Sequence, residues 1–235
     1  GGCAVILHPQ RYISLLSSAK YLTDLYFPMY LYLKNPSLVH YPFEMHQDVR
    51  KLVSEGYIRK DYFNWTFKFC IVRNPYDRAV SGYSLYKSNP RMNEKTIHRK
   101  GPVDRYYYEF MKRFSSFEDF VLNHLAHIDL PTAPNVNVDC RKIKLTSHFF
   151  PQTNWFTDEN GEIRDDIHRF RFEELDVMRS FLQEKYDLPN RFPHNNKTKR
   201  TKYPEYYTDK SYEIIYNKYK RDFDLLGYPS HKTKK

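Results

Sequence analysis

Phe67-Lys68-Phe69-Cys70-Ile71-Val72-Arg73-Asn74-Pro75-Tyr76-Asp77-Arg78-Ala79-Val80-Ser81-Gly82-Tyr83 is an apolar run that ends at an arginine and passes at once into a helix start. Phe67 to Val72 is short and almost continuously apolar, the pattern of a strand covered on both faces in a parallel sheet. That reading predicts an α/β fold. Asn74 can cap the next helix through its side-chain oxygen, and Pro75 suits the first helical position, where a missing N–H costs nothing. Ser81 lies seven residues after Asn74 and four after Asp77, which returns it to the same helix face. Arg73 and Ser81 are therefore expected to converge beside a helix N-terminus at the carboxyl end of a parallel strand, where open α/β sheets hold anionic ligands.

Taken one at a time, an arginine at a strand end and a serine on a helix are more often ordinary surface residues. The string as a whole is more specific: Arg73-Asn74-Pro75-Tyr76-Asp77-Arg78, followed by Val80-Ser81 and Tyr83, resembles the 3′-phosphate-binding motif of sulfotransferases that use 3′-phosphoadenosine 5′-phosphosulfate (PAPS). The likeness is closest to the family 2 branch that includes carbohydrate sulfotransferases of the chondroitin and HNK-1 type. In that family the residues matching Arg73 and Ser81 hold the 3′-phosphate of the nucleotide. The resemblance implies a P-loop-like three-layer α/β fold, with a central parallel sheet flanked by helices.

The chain has 235 residues, enough for one domain over residues 1–235 with a sizeable core. Its 22 tyrosines and 17 phenylalanines make that core unusually aromatic, and many tyrosine hydroxyls must reach water or a partner. No apolar run approaches the roughly 20 residues of a membrane span. The formal charge is +10, of which +7 falls between Arg191 and Lys235, with 12 Lys or Arg against 5 Asp or Glu. Such a field favours anionic partners: a nucleotide, an acidic polysaccharide, nucleic acid or a membrane surface. Cys3, Cys70 and Cys140 are widely spaced and odd in number, against a disulfide framework or a cysteine-rich metal site. The triplets at Asn64 and Asn196 match a glycosylation acceptor, which matters only in a secreted chain.

Further blocks extend the resemblance in family order from about His46 to Tyr228. Gly1-Gly2-Cys3 looks like the tail of the loop that cradles the 5′-phosphosulfate, where residues without bulky side chains let the backbone approach a phosphate. On that reading the first strand and the loop lysine are missing or truncated; the plain alternative is a cloning remnant or a frayed end. Family members often place the catalytic base in a histidine shortly before the central strand. His46 is the residue so placed, with His40 as runner-up, and neutral imidazole suits removal of a hydroxyl proton near pH 7. An ordinary surface histidine is the competing reading. Ser147-His148-Phe149-Phe150-Pro151-Gln152 resembles an element on the substrate side of the family's cleft, which makes His148 and Gln152 acceptor or cofactor contacts; a structured loop turned by Pro151 is the alternative.

Phe114 to Leu130 reads as a helix packed on the sheet and stopped by Pro131. Asp158 to Glu162 is a turn, Ile167 to Phe172 alternates as a second strand, and a helix runs from Glu173 to about Tyr186. The basic segment Lys197-Thr198-Lys199-Arg200 resembles a family loop that passes near the nucleotide, so Lys199 and Arg200 are expected to add charge against the 3′-phosphate. A final helix, capped by Thr208 and ended by Gly227, carries Tyr212, Ile215, Tyr216, Tyr219, Phe223 and Leu226 on one stripe.

The resemblance implies sulfuryl transfer from PAPS, as co-substrate, to a hydroxyl, with a carbohydrate acceptor and no metal. A P-loop kinase is excluded by the seven glycines, which do not fit G-x-x-x-x-G-K-[ST]. A basic module that stacks nucleic-acid bases is disfavoured because the aromatics recur at helix and strand periods, and no nucleic-acid partner is expected. A non-catalytic relative that binds nucleotide or glycan is the remaining alternative. The compartment is expected to be cytoplasmic for a bacterial chain, or the Golgi lumen for a eukaryotic one with a removed anchor.

Overall fold

The computed structural model describes residues 5–7, 60, 64, 67–88, 93–99, 102–130, 147–158, 160–186 and 200–230. In chain order they form strands β1 (Val5–Leu7) and β2 (Phe67–Val72), then helices α1 (Pro75–Lys87), α2 (Pro102–Met111) and α3 (Phe117–Asn123). Strand β3 (Ile167–Arg171) follows, then α4 (Leu175–Tyr186), α5 (Asp209–Lys218) and α6 (Lys220–Leu226). The chain divides into two compact units, one of Gly1–Val72 with Asn154–Pro193, the other of Arg73–Thr153 with His194–Lys235.

The first unit holds the sheet, in the order β1-β2-β3. β3 pairs parallel to β2 from Lys68↔Ile167 to Val72↔Arg171, and β1 pairs antiparallel from Val5↔Phe69 to Leu7↔Phe67. The expected buried parallel strand is present with the expected bounds, and Lys68, Phe69, Cys70 and Val72 are all buried. Lys68 is accommodated by an ion pair from its Nζ to Asp166 at 3.3 Å. Helix α4 lays Met178 and Leu182 over Phe69 and Phe170, whose rings meet edge to face at 5.7 Å. Each such side chain taken out of water contributes about 1.5–3 kcal/mol.

In β3 the alternation expected from the sequence is only partly realised. Ile167 and Phe170 are both buried, although they point to opposite faces, while His168 and Arg169 are exposed. The strand is thus apolar at selected positions on both faces rather than along one. The turn before it forms as expected: Asp158 accepts the N–H groups of Asn160 and Glu162 at 2.9 and 2.8 Å, and Gly161 adopts φ 84°. A side-chain oxygen that mimics a backbone acceptor and a residue free of Cβ penalty are what this turn requires.

The second unit is helical. Asn74 caps α1, its Oδ1 accepting from the N–H of Tyr76 at 2.9 Å, and Pro75 opens the helix. Phe114 to Leu130 does not form one helix. Ser116 caps α3 by accepting from the N–H of Asp119 at 3.0 Å, and the carboxylate of Asp119 accepts from both the N–H and hydroxyl of Ser115. These local bonds delay the helix start to Phe117, and a short 3-10 turn over Leu125–His127 replaces its end. Phe117 and Phe120 pack on Tyr83 of α1, at 5.5 and 5.9 Å.

Thr208 and Ser211 form a reciprocal capping box at the start of α5, and Gly227, at φ 64°, ends α6. Between them the helix breaks at Tyr219, which leaves helical geometry while its hydroxyl donates to the carbonyl of Phe149 at 2.6 Å. Among the described residues, eight tyrosines are buried. Tyr76 is surrounded by Tyr207, Tyr212 and Phe223 with ring centroids 4.6–5.4 Å away, and the Tyr207 hydroxyl donates to the Tyr76 carbonyl at 2.9 Å. No described helix is long and apolar enough to cross a membrane. Among the described residues no group of three His, Cys, Asp or Glu is placed to hold a metal ion.

Candidate functional site

Arg73 follows directly on the last residue of β2, and α1 begins two residues later. The guanidinium turns back over the first turns of α1. Its Nε and Nη2 donate to Oδ2 of Asp77, and its Nη1 donates to Ser81 Oγ at 2.9 Å. Asp77 and Ser81, four residues apart, share one face of α1, and Arg73, just before the helix, converges on that face, as the sequence spacing predicts.

A second cation arrives from far along the chain. Arg200 donates from Nη2 to Oδ1 of Asp77 at 2.6 Å. Asp77 is therefore a carboxylate bridge between two guanidiniums, and all three side chains are largely sheltered, at 18%, 16% and 13% exposure for Arg73, Asp77 and Arg200. The trio carries one net positive charge at the positive end of a 13-residue helix dipole. Guanidiniums oriented by a fixed carboxylate, with a serine hydroxyl beside them, form a donor set suited to a phosphate.

The backbone of Arg73 is held as firmly as its side chain. Gln152 accepts from the Arg73 N–H through Oε1 at 2.8 Å and donates from Nε2 to the Arg73 carbonyl at 2.7 Å. Behind it, Asp222 of α6 accepts from the Gln152 N–H at 2.7 Å, and from the N–H and hydroxyl of Thr153 at 3.1 and 2.9 Å. Arg78, one turn into α1, donates to the Phe150 carbonyl at 2.6 Å. Burial pushes the Arg78 guanidinium below its ordinary value, while the Asp222 carboxylate nearby acts to hold its charge. Burial likewise raises the phenols of Tyr207 and Tyr219.

Of the residues singled out from sequence, Arg73, Ser81 and Arg200 thus meet around Asp77. Gln152 is buried and bonded to the Arg73 peptide, and His148 is half-buried with its ring 6.3 Å from that of Tyr86. Gly1, Gly2, Cys3, His40, His46, Lys197 and Lys199 lie outside the described residues. Asp77 marks the helix phase in the sequence, and its spacing of four from both Arg73 and Ser81 is the one sequence signal for its bridging role. Asp222 offered no such signal, because its partners lie about 70 residues away in the chain.

Comparison with known proteins gives one match. The family model described as "Sulfotransferase family" matches residues 29–229, so the likeness begins upstream of His46 and takes in the motif, the Pro151-Gln152 segment and the C-terminal helices. No curated protein and no solved structure matches the chain.

Proposed function

Because the chain belongs to the sulfotransferase family, we propose that it transfers the sulfuryl group of PAPS to a hydroxyl, that of a carbohydrate, and that Arg73 and Ser81 bind the nucleotide's 3′-phosphate. The observation that carries this reading is the convergence of Arg73, Ser81, Asp77 and Arg200 at the start of α1. The donor set fits the group. A guanidinium, a hydroxyl and a second guanidinium supply charge-assisted donors, and the single carboxylate keeps the cations from repelling one another.

The nucleotide supplies an activated sulfuryl group: the acceptor oxygen bonds to sulfur as the sulfur–oxygen bond to the 5′-phosphate breaks, the electron pair leaves with that phosphate, and the hydroxyl proton goes to a base. The chain's residues supply position and charge, the larger part of catalysis in group transfers of this kind. Arg73 and Ser81 fix the adenosine end, and Arg200, joined by Lys199 in the same basic segment, adds positive charge against the 3′-phosphate. The backbone at Gly1, Gly2 and Cys3 is the proposed cradle for the 5′ side. His46 takes the acceptor proton on an imidazole nitrogen, and His148 faces the acceptor. An acidic glycan also suits the net charge of +10.

Calorimetry with adenosine 3′,5′-bisphosphate tests the reading. The unmutated protein is expected to bind in the micromolar range, as cofactor sites ordinarily do. Arg73→Ala is expected to abolish binding while its circular dichroism spectrum stays unchanged. Absence of binding by the unmutated protein sinks the proposal. Once binding is established, labelled sulfate offered with a panel of glycans and peptides identifies the acceptor, and binding without turnover on any of them marks a nucleotide-binding relative instead.

A further inference from the structure

Gln152 sits in a five-residue segment, Phe149 to Thr153, that is buried throughout. Its polar groups are taken up one after another. Tyr219 donates to the Phe149 carbonyl at 2.6 Å, and Arg78 to the Phe150 carbonyl at 2.6 Å. Asp222, itself fully buried, accepts from the N–H of Gln152 and from both the N–H and the hydroxyl of Thr153. Pro151 has no N–H to satisfy. Helices α1 and α6 and the junction residue Tyr219 thereby strap the segment in place.

The Gln152 side chain then reaches out from this strap to a single residue. It bonds the N–H and the carbonyl of Arg73, at 2.8 and 2.7 Å. One residue that exchanges both backbone bonds with another is the pattern of a hydrogen-bonded pair in an antiparallel ladder. Here a side-chain amide plays the partner strand. Because both polar groups of the Arg73 peptide are fixed, the direction of its Cα–Cβ bond is fixed, and with it the aim of the guanidinium at Asp77 and Ser81. The amide is also only 1% exposed, so it does not present itself to an acceptor.

From this geometry we infer that Gln152 is a positioning residue for the 3′-phosphate arginine, with Asp222 behind it, rather than a contact for the sulfuryl acceptor; the inference rests on the nucleotide reading given above. The strap exists to aim Arg73. Loss of the amide leaves the guanidinium present but misdirected, and the affected part of the ligand is the 3′-phosphate alone.

Two nucleotides that differ only in that phosphate separate this role from a structural one. Adenosine 3′,5′-bisphosphate and adenosine 5′-monophosphate are titrated into the full chain by calorimetry, the weaker one by competition. The unmutated protein is expected to prefer the bisphosphate strongly. Gln152→Leu is expected to reduce that preference about tenfold, as when a charge-assisted hydrogen bond loses its geometry, with the monophosphate affinity changed less than about twofold. Gln152→Asn keeps an amide but withdraws it by about 1.5 Å, one carbon–carbon bond, and is expected to act in the same direction; it carries the comparison if the leucine variant does not fold. An unchanged preference, or an equal loss of both affinities, overturns the positioning role. An unmutated protein that shows no preference overturns the nucleotide site itself, and this inference with it.

Discussion

Asp222→Asn tests the foundation of the site, and its cost can be worked from the contacts. The carboxylate accepts three hydrogen bonds, from the N–H of Gln152 at 2.7 Å on one oxygen and from the N–H and hydroxyl of Thr153 at 3.1 and 2.9 Å on the other. Asparagine keeps one oxygen. If it faces Thr153, its NH2 group faces the Gln152 N–H, donor against donor, and a buried donor left without an acceptor costs about 1–3 kcal/mol. The substitution also removes the negative charge that helps hold the buried Arg78 cation. Breaking a buried charge arrangement by deleting one member costs about 3–5 kcal/mol, so the whole change is expected to fall near 3–5 kcal/mol. For a chain of this length that corresponds to a fall in Tm of roughly 10 °C, at about 2–4 °C for each kcal/mol. Differential scanning calorimetry of the two proteins in parallel reads it. Asp224→Asn is the control on the same helix: its carboxylate pairs with Lys220 at 2.6 Å but is 52% exposed, so its Tm is expected to move by no more than about 2 °C. Equal small shifts for both variants would refute the burial argument for Asp222.

Gly82→Ala sets helix propensity against packing. Alanine gains about 1 kcal/mol over glycine inside a helix, but its Cβ would stand 3.1 and 3.2 Å from ring atoms of Phe149, whose carbonyl Tyr219 holds. Overpacking of this kind costs about 1–3 kcal/mol, so urea denaturation should show a net loss of about 1 kcal/mol; a gain would mean that the ring moves aside freely. Burial pushes the Cys70 thiol from its ordinary 9.0 up to about 12. The folded chain therefore keeps a proton that the unfolded chain releases, and stability present below pH 9 is lost as pH rises from 9 toward 12. Urea midpoints measured at about pH 7.5 and roughly pH 10 should differ less in Cys70→Val than in the unmutated protein, and equal differences would count against the assignment.

Much of the local structure was legible because its causes are local. The apolar run Phe67 to Val72, the cap Asn74, Pro75 at the first helical position, Thr208 and Gly227 each act through neighbours within about one helix turn, and each is found where the sequence places it. Two local readings were too coarse. Ser115 and Ser116 form bonds with Asp119 that start α3 later than the apolar pattern suggests, and Tyr219 interrupts the last helix because its hydroxyl reaches Phe149. The latter contact spans 70 residues, beyond the reach of any periodicity.

The same division runs through the site. The strand, the helix start and the return of Ser81 to the helix face of Asp77 all follow from the sequence, since a helix of 3.6 residues per turn brings residues four apart onto one face without outside help. Tertiary structure alone decided that Arg200 shares Asp77 with Arg73, and that Gln152 holds the Arg73 peptide while Asp222 holds Gln152. A hydrogen bond depends on distance and angle between atoms, not on their separation along the chain, so polar partners 70 to 123 residues apart become partners only once the chain has packed.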